Sequence, residues 1–224
     1  MDFTTSLIAI LESNANAKEA VRMEAYMKNR FSYYGIKAPI RKALFKNVVR
    51  EYIPKLSHDH VITIANTLYK KPKRELHYCA MELVDQFLKK KYNIADIDFI
   101  EQLITTNSWW DSVDFIAKHI LGKYLLQFPD QIPPVIEKFS NSDKMWLNRS
   151  AILFQLGYKD KTDYRLLCKL CEQHKSSNEF FIKKAIGWAL REYSKVNPEA
   201  VVTFITNTKL KPLSEKEGLK RIHS

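Results

Sequence analysis

The sequence predicts an all-α chain, and three observations point that way. Apolar residues recur at three- and four-residue spacing, which lines one face of a helix. No segment alternates apolar and polar residues over six or more positions, the period of a half-buried strand. Prolines and cap-forming residues stand where helical runs would begin. The scarcity of glycine, five in 224 residues, agrees, because tight hairpins and phosphate-cradling loops both draw on it.

In chain order, Leu7-Ile8-Ile10-Leu11 gives the first helical spacing. Pro39 before Ile40-Arg41-Lys42 marks a helix start, since proline lacks only an N–H that the first turn leaves unpaired. Ser57-His58-Asp59 caps a run opening at His60-Val61, and Ala65-Leu68-Tyr69 follows at helical spacing. Pro72 precedes Lys73-Arg74-Glu75, and Met81-Leu83-Val84-Phe87-Leu88 continues the pattern. Amphipathic segments surround Trp109-Trp110-Asp111-Ser112-Val113-Asp114, Trp146-Leu147-Asn148-Arg149 and Ala185-Ile186-Gly187-Trp188. Pro198 before Glu199-Ala200 starts another helix, and Ser214 with Glu217 three residues on reads as a capping box. About twelve short helices are expected. No composition break or flexible linker interrupts them, so residues 1–224 read as a single domain, with Pro129 to Pro134 the best candidate for a bend.

A repeat is superimposed on this pattern. Trp110, Arg149 and Trp188 are separated by two equal intervals of 39 residues. A helix pair with its turns takes about 40 residues in helical-repeat solenoids, whose equivalent positions project onto one face. A solenoid is therefore expected.

Composition bounds the function. Lys and Arg number 36 against 25 Asp and Glu, a formal net charge of +11. Such an excess suits a polyanionic partner, and its spread along the chain suits a folded basic face better than a disordered arm. No apolar run is long enough for a membrane span. The start, Met1-Asp2-Phe3-Thr4-Thr5, lacks a signal peptide's basic lead and apolar stretch, so a cytoplasmic protein is expected. Neither GxGxxG nor GxxxxGK[ST] occurs, which disfavours nucleotide-triphosphate chemistry. Cys79, Cys168 and Cys171 are too few for a disulfide framework. Cys168 and Cys171, with His174, fall short of the four ligands of a structural zinc site and read as buried helical thiols. The histidines show no HxxxH or HExxH spacing, so no metal is expected.

The candidate site lies on the repeat. Trp110 and Asp114, at i and i+4, share a helix face. Successive helical positions diverge by about 100°, so Trp109 and Trp110 cannot both turn to one buried face, and one of the two is displayed. Arg149 interrupts an apolar stretch; a surface position is the usual account, and a phosphate contact would also suit a guanidinium. Indoles attract cations, and a carboxylate stabilises positive charge developing on a sugar. Together these residues fit a nucleotide carrying a cationic base.

Ser108 to Asp114, Trp146 to Leu156, and Glu179 to Trp188 with Leu190-Arg191-Glu192-Tyr193, together with Glu24 to Asn29 and Gly35-Ile36, resemble the AlkD-type DNA alkylation repair glycosylases over nearly the whole chain. The resemblance implies a right-handed superhelical solenoid of HEAT-like repeats that holds duplex DNA on a concave basic face. It implies excision of positively charged N3- and N7-alkylpurines, such as 3-methyladenine and 7-methylguanine, by hydrolysis of the N-glycosidic bond without deep base flipping. Trp110 and Trp188 would be the cleft tryptophans, Asp114 the catalytic carboxylate and Arg149 the cleft arginine. Tyr26 would line the same cleft, and Lys183, Lys184 and Arg191 would join Arg149 in binding DNA. The protein would act as a monomer without metal or organic cofactor. Lys37 stands where the family is expected to carry a glutamine near the opposing strand. The chain also ends soon after Arg221-Ile222-His223, slightly short for the family. A cationic alkylpurine leaves as a neutral base, so the site needs no general acid on the leaving group. The competing reading is a non-catalytic helical-repeat scaffold for nucleic acid or a protein partner, because fold alone does not fix function.

Overall fold

A computed structural model describes residues 2–222; Met1, His223 and Ser224, including the His223 of the terminal motif, lie outside the described residues. Among the described residues there are fourteen α-helices and no β-strand, only an isolated bridge between Ser32 and Lys73. The all-α expectation holds, with two more helices than expected. None of the helices is long and apolar enough to cross a membrane. The chain forms two compact units, 1–93 and 94–224, joined where its composition shows no break.

The first unit contains α1 (Phe3–Ser13), α2 (Ala17–Tyr26), α3 (Ala38–Tyr52), α4 (His58–Tyr69) and α5 (Arg74–Leu88). The expected cap at Ser57 is present: its hydroxyl accepts from the His60 N–H while the His60 ring accepts from the Ser57 N–H. Helix α1 packs on α3 and α4, and α5 on both of those. Leu7, Leu11, Phe45, Val61, Leu68 and Leu83 fill the space between them. Two carboxylates, Glu75 buried and Glu82 partly buried, lock this unit. Glu75 accepts the backbone N–H groups of Tyr34, Gly35 and Ile36 at 2.9–3.1 Å. Glu82 takes both Nη atoms of Arg41 at 2.9 and 2.7 Å. Gly35 has φ +87°, and a Cβ there would lie 2.0 Å from the Asn16 carbonyl, so only glycine lets the loop reach Glu75.

The second unit contains α6 (Asp96–Thr105), α7 (Trp110–Phe115), α8 (Gly122–Gln127), α9 (Ile132–Ser140), α10 (Met145–Leu153), α11 (Tyr164–His174), α12 (Phe180–Tyr193), α13 (Pro198–Thr208) and α14 (Pro212–Leu219). A π-helical turn, Ile116–Leu121, runs directly from α7 into α8. The prolines at 129–134 do break the rod: Pro129–Gln131 forms a 3-10 turn between α8 and α9. Helix α10 packs against α6, α7, α9, α11 and α12. Ile152, Leu153, Leu167, Cys171, Ile186 and Leu190 belong to one buried cluster.

Helix α14 begins at Pro212, two residues before the expected cap. Ser214 is instead buried inside the helix and donates to the Lys183 carbonyl at 3.0 Å. Helices α12 and α14 meet backbone to backbone at Gly187, where a Cβ would lie 2.5 Å from the Glu217 Cβ and 2.7 Å from the Ser214 carbonyl. Neither neighbour is the free end of a flexible chain, so the added methyl must push the helices apart. Gly187→Ala should therefore destabilise the protein by about 1–3 kcal/mol, the usual cost of overpacking. Urea unfolding with an unchanged m-value would register it.

Candidate functional site

Helix α7 positions the first two site residues. Trp109 takes extended backbone (φ −156°) and stands at the N-cap. The Ser112 hydroxyl lies 3.4 Å from the Trp109 N–H and donates to the Trp109 carbonyl at 3.1 Å. Trp109 is buried edge-on against Trp146 and Phe181, with ring centroids 5.8 and 5.2 Å away. Trp110, the first residue of α7, stays partly exposed. The divergence expected of the two tryptophans is what the helix shows.

One turn on from Trp110, Asp114 meets Arg149 of α10. Arg149 donates from Nε to Oδ1 at 2.7 Å and from Nη2 to Oδ2 at 2.8 Å. Its Nη1 donates to the Phe181 carbonyl in the first turn of α12. The Arg149 side chain is 4% exposed and that of Asp114 13%. Arg149, expected among the DNA-binding residues, is engaged inside the protein here. It is buried in an otherwise apolar helix, and all three guanidinium nitrogens have protein acceptors. Its place is to hold the carboxylate. Burial pushes the Asp114 carboxyl up from its ordinary value, while the hydrogen bonds and charge of Arg149 pull it down and Asp111 adds to the rise. The π-helical turn begins two residues after Asp114, and such turns recur at functional sites.

Trp188 lies in the middle of α12, partly packed against the buried cluster and partly exposed. The 39-residue interval is therefore not an exact structural repeat, because Trp110 begins its helix whereas Arg149 and Trp188 are central in theirs. Lys184 and Arg191, expected to bind DNA, share a carboxylate partner while remaining partly exposed. Both pair with the Glu217 carboxylate of α14 at 2.8 Å. Lys183 is half-buried. Tyr26 ends α2 in the first unit and is 71% exposed. Lys37, in the same unit, is exposed and reaches Glu19 at 3.3 Å.

Sequence reading missed two participants. Glu217 was read as a capping partner, and the Phe181 carbonyl carries no side-chain signal. Among the described residues no group of three or more His, Cys, Asp or Glu side chains could hold a metal ion. The thiols of Cys168 and Cys171 in α11 are pushed up by burial, away from the reactive thiolate form.

Removing Arg149 tests the ion pair. Arg149→Met would leave Asp114 buried without its partner, at a cost of about 3–5 kcal/mol. The sign with pH follows from burial, which raises the folded-state pKa further once the guanidinium is gone. The loss is full above that pKa and shrinks as acidification neutralises the carboxyl. Melts of wild type and variant at neutral and mildly acidic pH should therefore converge toward the acid side; a constant gap would contradict an unpaired carboxylate.

Comparison with known proteins adds the lineage. A family model described as DNA alkylation repair enzyme matches residues 7–222. A solved structure described as a predicted DNA alkylation repair enzyme from Enterococcus faecalis is 33% identical, with a TM-score of 0.85 over 92% of this chain and 95% of that one. AlkD2 from Streptococcus mutans matches at 16% identity and TM-score 0.59, covering 79% of this chain and 85% of its own. The smu.31 protein of Streptococcus mutans UA159 matches at 15% identity and TM-score 0.64 over 98% of both chains. These last two share the all-α fold. Comparison with curated proteins gives no match.

Proposed function

The chain belongs to the DNA alkylation repair enzyme family, and from that premise we propose that it is a monofunctional DNA glycosylase of base excision repair. Its substrates are positively charged N3- and N7-alkylpurines in duplex DNA. The observation that carries this reading is Asp114: a carboxylate fixed at both oxygens, one helical turn from a partly exposed indole.

The chemistry follows from the residues. The bond from C1′ to the purine nitrogen breaks, and its electron pair neutralises the cationic base, which departs without needing a proton. The sugar is left as an oxocarbenium ion. Asp114, ionised and held still by Arg149, stabilises that charge electrostatically without reorganising. Each carboxylate oxygen keeps a second lone-pair direction beyond its bond to Arg149, through which it can orient water. The water oxygen attacks C1′ and loses a proton, leaving an abasic sugar. Trp110 and Trp188 supply indole faces for the cationic base and sugar. Arg149 is a positioning residue, while Lys183 and Tyr26 are the remaining candidates for DNA contact. In this proposal residues 1–224 act as one HEAT-like repeat domain, a cytoplasmic monomer that needs no metal or organic cofactor.

The scaffold reading draws on the same ion pair, since a carboxylate engaged at both oxygens can serve packing alone. Asp114→Asn separates the two. A glycosylase should lose about 10²–10³ in single-turnover release of 7-methylguanine, the scale of one transition-state electrostatic contact, while duplex binding persists. Undiminished release by a folded Asp114→Asn protein would overturn the assignment.

Lesion charge gives an independent test. Release of neutral hypoxanthine should fall far more than its binding, because that base cannot leave as readily without protonation. Excision of 7-methylguanine should also decline on acidification, with a midpoint above the ordinary carboxylate range, because burial raises Asp114 and only its ionised form stabilises the sugar cation. A rate that stays flat through that range would exclude Asp114 as the titrating group.

A further inference from the structure

Glu217 lies outside the set just described, yet its carboxylate acts on the helix that carries Trp188. Lys184 and Arg191 stand four residues before and three residues after that indole, so all three share a face of α12. One oxygen of Glu217 meets Lys184 Nζ and the other meets Arg191 Nη1, each at 2.8 Å. The carboxylate is 14% exposed, whereas Lys184 and Arg191 keep 37% and 27% of their side chains in solvent. The Lys184 hydrogen bond, helped by the charges of Lys184, Arg191 and Lys220, holds the carboxyl below its usual range against the opposing effect of burial. Helix α14 cannot easily withdraw this group, because Gly187 brings its backbone onto α12 and Ser214 ties it to the Lys183 carbonyl. The carboxylate thus stands between two cations as a phosphate would.

We propose that Glu217 is a positioning residue: it holds Lys184 and Arg191 against α14, withholding two cations from DNA phosphates beside Trp188. The proposal rests on the glycosylase reading, in which α12 faces DNA. Withholding the two cations lowers the sequence-blind backbone attraction that damaged and undamaged duplex share.

The test is Glu217→Gln, which keeps the shape and removes the charge. Binding to undamaged duplex and to 7-methylguanine duplex is measured across salt concentrations. Released cations should steepen the log–log salt slope by about 0.9 for one new phosphate contact and about 1.8 for two. Undamaged and lesion duplex should gain affinity by a similar factor, because the added contacts are to the backbone that both share. Adding Lys184→Gln and Arg191→Gln to the same protein should cancel the gain, a reversal that lost packing alone would not produce. Glu217→Asp keeps the charge and should hold the wild-type slope if it still reaches either cation. If Glu217→Gln does not fold, Lys184→Gln alone decides: a slope equal to wild type supports the proposal, and a slope shallower by about 0.9 overturns it. An unchanged slope in folded Glu217→Gln also overturns it. Wild-type protein that binds neither duplex would instead sink the DNA reading on which the proposal rests.

Discussion

The pairing of Asp114 with Arg149 is the constraint on which the second unit depends. Neither charge would be tolerated alone among these helices, because an unpaired buried ion costs several kcal/mol. Together they join three segments far apart in sequence: α7 through the carboxylate, α10 through the arginine, and α12 through the Phe181 carbonyl. The guanidinium also lies 5.9 Å from the Phe181 ring, beside the cluster that Phe181 forms with Trp109 and Trp146. A hydrophobic pair of equal volume would pack as well or better. Retaining a charge pair at such a place makes sense if the carboxylate is wanted for its charge.

The local backbone serves the same end. An extended Trp109 turns its ring into the aromatic cluster and lets Trp110 begin α7 on the other side. The wide π-helical turn after Phe115 then buries Ile116, Ala117, Ile120 and Leu121 at consecutive pairs of positions. Such a rod is anchored below Asp114 by apolar contact and above it by the indole cluster. That rigidity matters for electrostatic stabilisation, which loses most of its effect if the charged group must reorganise during the reaction.

Much of this was legible in the sequence. Helical periodicity, proline placement and the Ser57 cap are local signals, and local signals survive folding because they depend on neighbours in the chain. The candidate site residues stand out through spacing and through long motifs around Trp110, Arg149 and Trp188. Their roles were less legible. An arginine in an apolar stretch reads as a surface or phosphate-contacting residue, and its burial against a carboxylate 35 residues away has no local signal. Ser214 and Glu217 carry the spacing of a capping box, but Pro212 starts the helix earlier and turns both side chains toward α12. The departure at α14 has one cause: tertiary partners took side chains whose local pattern suggested a cap.

The distribution of charge sharpens this division between binding and chemistry. Residues 1–93 hold 17 Lys and Arg against 9 Asp and Glu, whereas residues 94–224 hold 19 against 16. In the second unit, cations near the candidate site are engaged inside the protein, Arg149 with Asp114 and Lys184 and Arg191 with Glu217. They hold helices in place rather than offering loose positive charge. On the glycosylase reading, most sequence-blind attraction to phosphates then arises from the first unit, where Lys42, Lys46 and Arg50 recur at four-residue spacing along the exposed side of α3. On the same reading, Trp110 and Trp188 of the second unit add contacts that depend on a cationic base. Selectivity for a rare lesion among ordinary base pairs must then come from contacts at the damaged base, since attraction that every nucleotide shares raises affinity for damaged and undamaged duplex alike.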